Sequence, residues 1–202
     1  MFYLSFFEYI ILLPLNLLAP VFNFFLAPFV VTQASENGWL PGWLKWFQTP
    51  DNSLDGDSGW KNEHRLWRGD SDVDTNKFKI YVNRVLWLYR NPMYGFDHDV
   101  LGAKFSERSQ VKTWGDTTIK DGEHAREGYC FSVIQDPTTG KYYWGLLWVK
   151  RLFGSSRCLY VDLGWKIKTY SEDPNRLFTN ADGDGKVLAQ YAFSPRFSKF
   201  ND

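Results

Sequence analysis

The sequence predicts an α+β protein: a proline-interrupted membrane helix or hairpin at the N-terminus, then an aromatic-rich domain with one amphipathic helix and a small antiparallel β-meander. Three observations carry this reading. Residues 1–31, MFYLSFFEYIILLPLNLLAPVFNFFLAPFVV, hold a single charged side chain, Glu8, and three prolines. Between Asn76 and Arg90 apolar residues recur at steps of three and four, and beyond Gly128 the period drops to two. The chain divides accordingly into a hydrophobic segment at 1–31, a Trp-rich interfacial stretch and Asp/Gly-rich connector at 32–75, and an α+β domain at 76–202.

The hydrophobic segment differs from a signal peptide, because no Lys or Arg precedes Lys45 and the apolar run is too long. From Tyr9 to Val31 a helix rising about 1.5 Å per residue would cover a hydrocarbon core of roughly 30 Å. Pro14, Pro20 and Pro28 each remove a backbone donor, and Asn16 and Asn23 add amides. Lipid supplies no water to satisfy the freed carbonyls. The segment is therefore a kinked span, a helix packed against a partner, or a shallow hairpin in one leaflet; burial inside a protein assembly is the remaining option.

Trp39, Trp43, Trp46 and Phe47 follow directly and read as a membrane-interface belt, where rings sit among headgroups and indole N–H groups stay wet. The alternative is that these rings cap a soluble core. Lys45, Lys61, Arg65 and Arg68 follow the run, which by the positive-inside rule favours a cytoplasmic domain. Residues 49–75 are rich in Asp, Ser, Gly and Asn and read as a connector.

In the helix at Asn76–Arg90, Phe78, Tyr81, Val82, Val85, Leu88 and Tyr89 form an apolar stripe. Thr75 or Asp74 is the expected cap, Asn91-Pro92 the stop, and Arg84 and Arg90 are left for solvent or anionic headgroups. Strand-like runs at Tyr129–Ile134 and Lys141–Val149 flank the turn Asp136-Pro137-Thr138-Thr139-Gly140 and predict a β-hairpin. A third strand alternates Leu159, Val161, Leu163, Trp165 and Ile167 with Tyr160, Asp162, Gly164 and Lys166, and Lys186–Phe193 supplies a fourth. Cys130 and Cys158 fall on the first and third strands, roughly 9 to 10 Å apart. Disulfides need Cα atoms within about 7 Å, so two free thiols are expected.

Composition narrows the function classes. Lys plus Arg and Asp plus Glu both total 23, so no basic field recruits nucleic acid, which is not expected as a partner. Aromatic residues make up 19% of the chain, which suits amphipathic interfaces. All three histidines sit beside acids, at Glu63-His64, Asp97-His98-Asp99 and Glu123-His124, but the spacing matches no metal-ligand signature. His98 is the candidate for acid–base chemistry, set against a loop-bracing role. His124 with Cys130 lacks a third group for nucleophilic catalysis. Asn180, Asp182 and Asp184 with Gly185 resemble the first half of a calcium loop, yet the twelfth position is Tyr191 rather than Glu. No phosphate loop, nucleophile elbow or dinucleotide fingerprint occurs, so no cofactor is expected and enzymatic activity is the minority reading.

The segments Trp46–Asp57, Arg90-Asn91-Pro92-Met93-Tyr94-Gly95-Phe96-Asp97 and Leu163-Gly164-Trp165-Lys166 resemble uncharacterised proteins of tailed bacteriophages and prophages that share a hydrophobic N-terminus. The resemblance implies a viral source and a membrane or virion setting, and it assigns no functional residues. The expected function is a membrane-anchored, non-enzymatic phage protein that binds a protein partner at the host inner membrane, in exclusion, host takeover or defence evasion. Its partners would be the lipid bilayer and an unidentified protein, with oligomers allowed. The alternative is a virion or genome-delivery component with its apolar N-terminus buried in an assembly.

Overall fold

The computed structural model describes residues 2–119, 126–153, 156–169, 177 and 186–200. Among them lie α1 (Phe2–Val31), α2 (Lys77–Arg90) and α3 (Tyr94–Asp99), followed by β1 (Ala103–Ser106), β2 (Gln110–Gly115), β3 (Gly128–Gln135), β4 (Tyr142–Arg151), β5 (Arg157–Trp165), β6 (Lys186–Ala189) and β7 (Tyr191–Lys199). The architecture is α+β. α1 runs unbroken through Pro14, Pro20 and Pro28, so the hairpin form is not adopted.

Two compact units divide the chain: Pro14–Val100, and Met1–Leu13 together with Leu101–Asp202. These differ from the sequence-derived divisions at 1–31, 32–75 and 76–202. The hydrophobic segment is no separate body, because each part of α1 belongs to a different core.

In the unit Pro14–Val100, Ala19, Ala27 and Val30 of α1 pack with Leu54, Trp60, Trp87 and Leu88. The cap of α2 is Asn76, whose side chain accepts from the Phe78 and Lys79 N–H groups. Thr75 and Asp74 fall one and two residues before the cap position, within the turn that the Thr75 N–H closes on the Asp72 carbonyl. Arg84 is buried, contrary to its expected place in solvent or among headgroups. Its guanidinium donates to Asp55 Oδ1 at 2.6 Å and Oδ2 at 3.1 Å, and to the Ser35 and Glu36 carbonyls. A buried cation needs that full set of acceptors. At Gly95 a Cβ would fall 2.5 Å from the Lys45 carbonyl oxygen, so glycine lets α3 press against the 3-10 helix Gly42–Phe47.

In the other unit, five antiparallel strands run in the order β2-β3-β4-β5-β7, and β1 pairs with β6 in a separate ribbon. The expected hairpin is β3–β4. Its turn is closed by buried Asp136, which accepts from the Thr138 N–H and the Thr139 hydroxyl. The run expected as one strand at Lys186–Phe193 splits at Gln190 between the two sheets. Cys130 and Cys158 lie on β3 and β5, either side of β4, and both are free thiols.

β5 buries residues on both of its sides. Cys158, Tyr160 and Asp162 are buried on one side and Val161 and Trp165 on the other, where Leu159 and Leu163 are half-buried. Val149, Cys158 and Tyr160 pack with Ile119, Leu147 and Phe200 on one face. The other face carries Trp144 and Tyr191 at one end, under Phe6 and Tyr9 of α1, and leaves Trp114, Tyr129, Trp148 and Phe197 exposed farther along.

Candidate functional site

α1 is amphipathic in reverse. The residues it buries, Ser5, Tyr9, Asn16, Ala19, Asn23, Ala27, Val30 and Val31, recur at steps of three, four and seven and include its amides and small side chains. The opposite stripe, which includes Tyr3, Phe7, Ile11, Leu18, Phe22, Phe25 and Phe29, is open. A helix on a soluble protein hides its apolar side and shows its polar one. Here small and polar residues make the protein contact and large apolar ones face outward, as lipid-facing helices do.

Each unit holds its own part of the inward stripe by specific bonds. Tyr9 donates from its hydroxyl to the Ala192 carbonyl at 3.0 Å, and Tyr191 donates back to the Tyr9 carbonyl at 2.9 Å, with the two rings stacked. In the unit Pro14–Val100, Asn16 donates to Asp97 at 2.8 Å and Asn23 to the Leu88 carbonyl at 2.9 Å. The Tyr89 hydroxyl reaches the Phe24 carbonyl at 3.1 Å, the acceptor that Pro28 cannot serve four residues on. Tyr81 donates to the Pro28 carbonyl near the helix end, where carbonyls lack intrahelical partners. Glu8, the one charge on α1, lies 3.9 Å from Lys141.

The Trp-rich stretch sorts by the geometry of its 3-10 helix, in which side chains three apart share a side. Trp43 and Trp46 stand open, as does Trp39 just before, while Leu44 and Phe47 turn into the core. Phe47 therefore does not belong with the interfacial rings expected of it.

His98 donates or accepts at Nδ1 against Asp99 at 2.9 Å, and Asp99 also pairs with Lys45 at 2.8 Å. Burial pushes the Asp99 carboxyl up, but hydrogen bonds from Lys45 and His98 outweigh it and hold the group below the ordinary range. This braces α3 on the 3-10 helix. Among the described residues no three His, Cys, Asp or Glu side chains converge on a metal position. Asn180, Asp182, Asp184 and His124 lie outside the described residues. Tyr191, the twelfth position of the calcium-like loop, is buried against Tyr9. Burial raises both the Cys130 and Cys158 thiols, which makes them poor nucleophiles.

A family model matches residues 1–195, a range that takes in all of α1. The chain belongs to a family of unknown function, DUF7338. No curated protein and no solved structure matches it. The open face of α1 and the exposed tryptophans are thus the features from which a function must be argued.

Proposed function

We propose that this is a membrane-bound, non-enzymatic docking protein, held by α1 in one leaflet of a bilayer and presenting its folded units to a protein partner. The supporting observation is the open apolar stripe of α1 from Tyr3 to Phe29. Five such side chains withdrawn from water at about 2 kcal/mol each exceed the roughly 8 kcal/mol of a micromolar complex. Lipid attachment by α1 is therefore strong without a second signal.

The inward stripe favours a helix lying in the leaflet over one crossing it. Spanning would require Tyr9 and Tyr191 to part, and would carry Asn16 with Asp97, or else unpaired Asn16, into hydrocarbon. Each buried polar group left without a partner there costs several kcal/mol. In-plane seating keeps every one of these bonds. It also transfers no charged residue across the membrane, which favours units on the side of synthesis. The resemblance to phage proteins supports the inner membrane of an infected bacterium as the setting, with exclusion, host takeover or defence evasion as the role.

Alkaline carbonate extraction of cells expressing the full chain tests the attachment. The protein is expected in the pellet until detergent is added. Recovery as free protein or as particles would overturn it and favour the virion reading, with α1 covered by an assembly.

A further inference from the structure

The five-stranded sheet of the unit Met1–Leu13 with Leu101–Asp202 leaves an apolar face open, and that face adjoins the seat of α1. Alternation along the paired strands puts Trp114, Tyr129, Trp148, Leu159 and Phe197 on the same side as Trp144 and Tyr191. Trp144 and Tyr191 lie under Phe6 and Tyr9, whereas Trp114, Tyr129, Trp148 and Phe197 are exposed, Phe197 by 72%. An antiparallel sheet with one solvated face shows polar side chains on it. This one shows rings.

We propose that this sheet face is a second lipid-contacting surface, seated at the headgroup level of an anionic bilayer beside the more deeply inserted α1. The proposal rests on the lipid attachment of α1 argued above. Three features select lipid as the occupant. First, the face continues from the side of the sheet on which α1 lies, so within this unit the open residues Tyr3, Phe7 and Ile11 point away from the sheet in the same sense. Second, a helix about 10 Å thick raises its outer stripe above the sheet by roughly that amount. Aliphatic and Phe side chains then reach acyl chains while Trp and Tyr stay shallower, the depth those rings prefer.

Third, the charges fit. Among the described residues, strand positions on this face carry no carboxylate, while Lys112, Lys150, Arg157 and Lys199 stand at its margins. Glu127, just before β3, pairs with Lys150 at 2.8 Å. A ring-lined face with a cationic margin complements anionic phospholipid headgroups.

The test uses the full chain with both native cysteines replaced by alanine, reconstituted in vesicles of phosphatidylcholine and phosphatidylglycerol. Phe197→Cys, Arg196→Cys or Phe22→Cys carries an environment-sensitive fluorophore, and thermal unfolding verifies each variant's fold. The probe at 197 is expected to be quenched several-fold more strongly by lipid-borne nitroxide than the probe at 196, which lies on the other face. Iodide should reverse that order. If 22 is quenched by lipid and 197 only by iodide, the sheet inference fails and α1 attachment stands; if neither is quenched by lipid, both fail. Shielding of 197 from iodide without lipid quenching would overturn the inference in favour of a second copy or another protein on this face.

Discussion

Pro28 deprives α1 of one hydrogen bond, and the Tyr89 hydroxyl replaces it on the Phe24 carbonyl. Tyr89→Phe should then cost about 1 kcal/mol in denaturant unfolding of the detergent-solubilised protein. In a Pro28→Ala background, where the backbone N–H returns, the same substitution should cost clearly less, and equal costs would refute the compensation. The prolines were legible as helix-awkward residues, but their compensation was not, because Tyr81 and Tyr89 read only as part of an apolar stripe. Asp99 supplies a pH-dependent counterpart. Its folded carboxyl titrates below the usual value near 3.9, so between the two the unfolded chain binds more protons. The stabilisation is complete above about pH 4 and is lost as pH falls through the folded value. Lys45→Gln should lower stability at pH 7 and so flatten that acid limb of the stability curve, while leaving stability below the folded value nearly unchanged.

At the level of elements, α2 was plain from its three- and four-residue recurrence, and only its cap and the burial of Arg84 were misjudged. Nothing in the sequence near Arg84 marks Asp55 and two distant carbonyls as its partners. Asp55→Ala should destabilise by about 2 kcal/mol or more, since it leaves a buried guanidinium short of its carboxylate, and chemical denaturation would measure the loss. β1 and β2 escaped the sequence because AKFS and QVKTWG are short and half polar. On β5 the alternation was correct, but both sides bury residues, because periodicity identifies two faces and cannot say how much of each is covered. α1 leaves large apolar side chains open and turns its amides and small side chains inward, which its composition alone did not show. Because those residues complete both cores, a chain starting at Gly38 should lose cooperative thermal unfolding; a sharp transition in that truncation would show α1 to be dispensable.

Across the whole molecule, open apolar surface concentrates on α1, on the exposed tryptophans of the Trp-rich stretch and on one sheet face, while charge balance removes any general attraction to nucleic acid. The sequence made the apolar segment obvious and left its seating open, because length alone permits a span and only the packed stripe argues for one leaflet. The most direct test is the sidedness of the two ends of α1. A cysteine appended ahead of Met1 and, separately, Thr32→Cys are introduced into the full chain lacking its native cysteines, and sealed vesicles of each orientation meet a membrane-impermeant thiol reagent. Both ends should react from the same side. Labelling from opposite sides would show that α1 crosses the bilayer and would contradict in-plane seating.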